Sequence, residues 1–110
     1  MVTYKEHVQE PHFSNIKSGR KTIEGRLYNG NFAKMNVNDT AIWFCGDKTV
    51  LSVIKRTAKY SSFKEMIEAE KLENALPGTD TVEQGEKIYY GFYTGWSRIV
   101  AGFLCYLSNQ

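Results

Sequence analysis

The chain has 110 residues, of which 42% are apolar and 24% charged, enough for one packed core and too few for two, so a single domain over 1–110 is expected. No apolar run approaches the roughly 18 residues of a membrane span, and nothing at the N-terminus resembles a secretory leader, so no membrane partner and an intracellular location are expected. The net charge is only +2, but residues 1–59 hold ten basic and five acidic side chains while residues 60–110 hold four and seven, so one part of the molecule can present a basic surface to phosphates.

Residues 2–8 alternate loosely between apolar and polar and read as a strand. Pro11 suits the first position of a short helix striped by Phe13 and Ile16, and Gly19 is placed to end it. Residues 22–28 read as a second strand, with Thr22, Glu24, Arg26 and Tyr28 on one face and Ile23 and Leu27 on the other. Such a strand has a core side and a working side. Residues 29–34 read as a loop, and Thr40–Cys45 with residues 49–57 as a hairpin turning at Gly46-Asp47-Lys48. Ser62 and Glu65 form a capping box for a helix buried through Phe63, Met66 and Ile67, and Leu76-Pro77-Gly78 closes that helical region. Residues 82–93 are expected to be helical, with Ile88, Tyr89, Phe92 and Tyr93 on one side, although Gly85 and Gly91 weaken the pattern. Residues 99–107 are apolar on both faces and belong in the middle of a sheet. About five strands with helices between them fit either a compact barrel with helical crossovers or an open α+β sheet.

Cys45 and Cys105 lie in strand-like apolar runs and are read as buried, reduced thiols. His7 and His12 are the only histidines and lack metal-ligand spacing, so no metal and no cofactor is expected. Chemistry concentrates instead at Gly19-Arg20-Lys21-Thr22-Ile23-Glu24-Gly25-Arg26. Three charges so close are costly to bury unless paired with one another or with a ligand. Lysine and arginine suit phosphate, arginine also forks toward or stacks on a base, and a carboxylate accepts from an exocyclic amine. Tyr60, Tyr90 and Tyr93 are candidate stacking surfaces, Lys55 and Arg56 with Lys59 a candidate phosphate contact, and His7 a weaker candidate beside the charged strand. Plainer readings stand next to these: an ion pair closing a barrel mouth, core packing for the tyrosines, a solvated edge for the cations. The glycine and lysine are not adjacent, which rules out a phosphate-binding loop.

The octapeptide fits G-x-K-x-x-E-x-R and resembles the ASCH domain, a PUA-like family. The resemblance continues through Phe13 and Ile16, Val37-Asn38-Asp39, Tyr60-Ser61-Ser62-Phe63, Leu76-Pro77-Gly78, Tyr89-Tyr90-Gly91-Phe92-Tyr93 and Ile99-Val100-Ala101-Gly102, nearly the whole chain. It implies an α+β fold, a small PUA-like β-barrel of about five or six strands with two to three inserted helices. It further implies a domain that binds RNA, another single-stranded nucleic acid or a modified-nucleoside-like ligand, a role that the residue chemistry above gives to Lys21, Glu24 and Arg26, with Tyr60, Tyr93, Lys55 and Arg56. Two other functions are compatible with the resemblance. One is a hydrolase of a nucleoside amide such as N4-acetylcytidine, or of RNA, with Lys21 and Glu24 catalytic; the other is a protein-interaction domain. The sequence carries no indication of oligomeric state.

Two departures from the family pattern stand out. Asn38 replaces the usual glycine before Asp39, a change a left-handed turn tolerates. Glu24 stands where the amidohydrolases that this chain resembles carry a threonine nucleophile, and Thr22 lies about 7 Å away along the strand, too far for a simple substitute.

Overall fold

The computed structural model of the chain describes residues 1–92 and 99–107. In chain order the elements are β1 (Thr3–His7), α1 (His12–Lys17), β2 (Ile23–Leu27), a 3-10 turn (Gly30–Ala33), β3 (Thr40–Cys45), β4 (Lys48–Tyr60), α2 (Phe63–Glu70), α3 (Leu72–Ala75), α4 (Val82–Phe92) and β5 (Val100–Leu107). The strands form one curled half-barrel sheet in the order β1-β3-β4-β5-β2. All neighbours are antiparallel except β1 and β3. The doubly apolar β5 lies inside the sheet, between β4 and β2, as its composition requires.

The described residues contain four α-helices, one more than the upper expectation. The extra one is α3, a single turn split from α2 by Lys71, whose φ of 81° ends α2 without a glycine to announce it. The expected loop after β2 holds the 3-10 turn. Ser62 caps α2 as expected, its hydroxyl accepting from the Glu65 N–H at 3.1 Å, but the Glu65 carboxylate takes the Ser61 hydroxyl instead of closing the box. Asn38 adopts φ 77°, the left-handed turn its side chain tolerates. The turn is fixed by Asp39, whose carboxylate accepts from the N–H groups of Val2 at 3.0 Å and Asn36 at 2.9 Å.

Alternation sends β2 and β5 side chains to two different cores. Ile23 and Val100 face α2, where Phe63, Met66 and Ile67 are buried with Tyr89 of α4. Gly25 and Gly102 pair across β2 and β5 on that same side. A Cβ on Gly25 would fall 2.6 Å from the Met66 Sδ, so the glycine notch lets α2 press against the sheet. Gly85, unfavourable for helix by propensity, serves a similar close approach: a Cβ there would come within 3.0 Å of Leu72 and 3.1 Å of Ile67. On the inner face of the curl lie Ala101 and Phe103 with Ile54 and Met35, next to a cluster of Phe13, Ile16, Ala41 and Trp43. Each such large side chain contributes roughly 1.5–3 kcal/mol by leaving water. Cys45 and Cys105 are free and only half-buried as residues; burial pushes the Cys105 thiol up to about 12, which leaves it protonated and unreactive.

Candidate functional site at the open seam of the half-barrel

The curl leaves β1 and β2 as edge strands, and no ladder joins them. A side chain does so instead. Arg26, projecting from β2 to the inner face, donates from Nη2 to the His7 carbonyl at 2.6 Å, at the end of β1. Its guanidinium also lies over the rings of Phe32, at 5.0 Å from the centroid, and Trp43, at 5.4 Å. Beside this strut is a cavity of about 110 Å³, lined from β1 and the following turn by His7, Val8 and Gln9, from α1 by His12, from β2 by Glu24, Gly25 and Arg26, and elsewhere by Lys21, Leu76 and Tyr89.

Alternation along β2 puts Glu24 and Arg26 on one side, and Lys21 meets them from the turn before the strand. Glu24 Oε1 is 3.8 Å from Lys21 Nζ and 3.6 Å from Arg26 Nε. The charged face is thus an inner face: the Lys21 and Glu24 side chains are only 2% and 8% exposed. Lys21 donates to the carbonyl of Ile23 at 2.8 Å and to that of Ala75, the last residue of α3, so it fastens the helical layer to β2. Burial pushes its ammonium below the usual 10.5, and the neighbouring Glu24 opposes that push. Glu24 differs from its partners in one respect. Among the described residues its Oε2 is buried and receives no hydrogen bond.

His12, half-buried on the same wall, is held below the usual 6.5 first by burial and then by the Lys21 charge, so its imidazole is neutral at pH 7. Sequence reasoning weighed His12 only as a metal ligand and His7 only weakly. The sequence showed only that the two histidines flank the turn between the first strand and the first helix; the structure sets that turn across the seam from Arg26. Gln9, Leu76 and Tyr89 gave no comparable signal.

The other expected site residues are not brought to this cavity. Arg56 and Tyr60 on β4 converge on Glu70 of α2: the Arg56 guanidinium binds both carboxylate oxygens, at 2.8 and 2.6 Å, and the Tyr60 hydroxyl donates to Oε2. Lys55 is the extra residue of a β-bulge between Ile54 and Arg56 and is exposed. Tyr90 is exposed on α4, its ring 6.3 Å from that of Phe63, and Tyr93 lies outside the described residues. Hydrogen bonds from Arg56 hold the Glu70 carboxyl below its usual 4.5. The unfolded chain therefore takes up this proton first on acidification. The stabilisation is complete above about pH 4.5 and is lost as pH falls through the lower folded value. Urea unfolding between pH 6 and 3 is expected to show Glu70→Gln losing less stability on acidification than the parent, by about 1 kcal/mol for a bidentate pair whose arginine is half-exposed.

Among the described residues no group of three His, Cys, Asp or Glu is placed to hold a metal ion, and no helix is long and apolar enough to cross a membrane.

The curled five-stranded α+β half-barrel with its four helices matches the fold of an ASCH or PUA-like domain. The ASCH domain family matches the sequence over residues 7–106, and the chain belongs to that family. It is similar to the solved structure of the hypothetical protein PH0355, at 34% identity over 97% of this chain and 100% of that one, with a TM-score of 0.89. Protein PF0455 from Pyrococcus furiosus is 29% identical over 99% of this chain and 100% of its own, with a TM-score of 0.78. A mutant ASCH protein from Zymomonas mobilis, 14% identical, shares the fold at a TM-score of 0.66 over 96% of this chain and 68% of that one. No curated protein matches the sequence.

Proposed function

We propose that the seam cavity binds a single unpaired pyrimidine base, cytosine by preference, with Glu24 as the recognising group. The supporting observation is that Glu24 lines the cavity and that its buried Oε2 has no hydrogen-bond donor among the described residues. A buried carboxylate oxygen left in that state costs free energy, and a ligand N–H relieves the cost. The exocyclic amine of cytosine is such a donor. Size points the same way. A cavity of about 110 Å³ is small beside pockets of roughly 300–1,000 Å³ for drug-sized ligands, but near the roughly 150 Å³ that accommodates a benzene ring. A volume of that order suits one six-membered ring better than the two fused rings of a purine.

In this reading the three charged residues divide the work. Lys21 spends its donors on two carbonyls and steadies the Glu24 charge. Arg26, fixed by the His7 carbonyl and two aromatic rings, forms a preorganised wall on which a base can lie. Hydrolysis of a nucleoside amide through a small nucleophile is less well supported, since no serine, threonine or cysteine is among the residues lining the cavity. The test is an NMR titration of the folded protein with cytidine and with uridine, whose carbonyl faces the carboxylate acceptor to acceptor. Cytidine is expected to bind at least tenfold more tightly, in line with about 1–3 kcal/mol for a correct base-edge contact. Equal affinities, or no binding of either, contradict the proposal, and release of acetate from N4-acetylcytidine replaces it with a hydrolase using activated water.

A further inference from the structure

β4 runs on past the strand beside it. Its ladder with β3 ends at the pair Thr40 and Val53. The last bonds on that side belong to Ile54, whose N–H reaches the Asp39 carbonyl at 2.9 Å and whose carbonyl accepts from Asn38 at 2.8 Å. Beyond it, residues 56–60 pair with β5 alone among the described strands. The register shows which of their backbone groups are left over. Cys105 of β5 donates to Thr22, on the β2 side. By alternation Leu104, Gly102 and Val100 turn their N–H and C=O groups to β4, opposite Arg56, Ala58 and Tyr60. The groups of Thr57 and Lys59 therefore point outward from the sheet edge, and both residues are exposed.

A cavity of about 300 Å³ lies along this edge, lined by Thr57, Ala58 and Lys59 together with Met35 and Asn36, where the chain leads into β3. Its aromatic rings are already in contact: Phe32 packs on Phe103 at 5.9 Å, and the Lys59 ammonium sits 4.5 Å from the centroid of Tyr28. What remains to offer is strand edge and positive charge. Lys55, Lys59 and Lys34 are exposed around it. Glu70 and Asp39, the acidic residues bonded to residues 54–60, are engaged elsewhere, Glu70 by Arg56 and Tyr60 and Asp39 by the N–H groups of Val2 and Asn36.

We propose that the free edge of β4 at Thr57–Lys59 is a docking site for an extended, acidic peptide segment of a partner protein. The segment adds as a strand in line with β3 and sets its carboxylates against Lys55, Lys59 and Lys34. Main-chain hydrogen bonds to an exposed edge supply affinity in such an addition, and side chains supply the choice of partner. A nucleic-acid strand matches the charge but lacks the alternating N–H and C=O groups that this edge can pair. A second copy of the chain matches the edge but not the charge, because β4 against β4 sets lysines beside lysines. The lysines and the bulge at Lys55 thus guard the edge against self-pairing while leaving it open to an acidic strand. This inference is independent of the base-binding reading.

The experiment titrates the folded protein with two end-blocked peptides, Glu-Val-Glu-Val-Glu-Val and Glu-Pro-Glu-Pro-Glu-Pro, and with a six-residue oligothymidylate, and follows amide hydrogen exchange by NMR. The valine peptide is expected to slow exchange of the Thr57 and Lys59 amides by about tenfold or more at saturation. Ala58, already bonded to β5, is expected to stay unchanged. The proline peptide carries the same charge but cannot extend the sheet, so it is expected to bind several-fold more weakly. Lys59→Glu, an exposed change, is expected to weaken the valine peptide several-fold, and added salt to do the same. Failure of the valine peptide to bind overturns the proposal, as does binding without slower exchange at Thr57 and Lys59. Equal binding of the two peptides, or tighter binding of the oligothymidylate at these residues, also overturns it and leaves a patch that attracts any polyanion.

Discussion

Replacing Lys21 by methionine is expected to lower the stability of the domain by about 4 kcal/mol, a large share of the roughly 5–15 kcal/mol typical of a folded domain. The side chain is 2% exposed and donates to the carbonyls of Ile23 and Ala75. Methionine matches its length and apolar stem but offers no donor. Two buried acceptors then lose their partner, at about 1–3 kcal/mol each, and Glu24 keeps only Arg26 to balance its charge. Breaking one side of a buried ion pair costs about 3–5 kcal/mol on its own, so the terms overlap and do not add. The double variant Lys21→Met with Glu24→Leu is expected to recover part of the loss, because no uncompensated carboxylate remains. Urea unfolding followed by far-ultraviolet circular dichroism measures both. A loss below 1 kcal/mol in the single variant means that Lys21 does not fasten α3 to β2.

Glu24→Gln is expected to cost less in stability, about 2–3 kcal/mol. Glutamine fills the same volume and its carbonyl still accepts, but Lys21 and Arg26 are left with no negative partner 3.8 and 3.6 Å away. Its consequence for a ligand is larger. The amide presents both an acceptor and a donor to the cavity, so it can answer either an amine or a carbonyl on the base edge. Selectivity is lost even where affinity survives. The substitution therefore separates a carboxylate that merely closes the seam from one that reads a ligand.

Much of this arrangement was legible in the sequence because it is local. Glu24 and Arg26 are two residues apart on a strand, and alternation alone puts them on one side with Lys21 close by. The Ser62 cap and the left-handed Asn38 are likewise decided within a few residues. What alternation does not reveal is which face curls inward, and so the charged face of β2 proved to be buried. Arg56 and Tyr60 escaped the reading for a different reason: Glu70 lies fourteen and ten residues further on, in a helix whose docking angle no periodicity encodes. Lys55 owes its position to a bulge with no glycine to mark it. Gly85 argued against a helix when taken alone and is explained only by the side chains of Leu72 and Ile67 that approach it.

Parallel titrations of the parent and of Glu24→Gln with cytidine and uridine, at a temperature where both proteins are folded, measure whether the carboxylate on β2 reads a base. A preference of tenfold or more for cytidine in the parent that falls to near one in the variant is the expected result. A preference that survives the loss of the carboxylate, or that never existed, means that Glu24 only holds two cations across the seam.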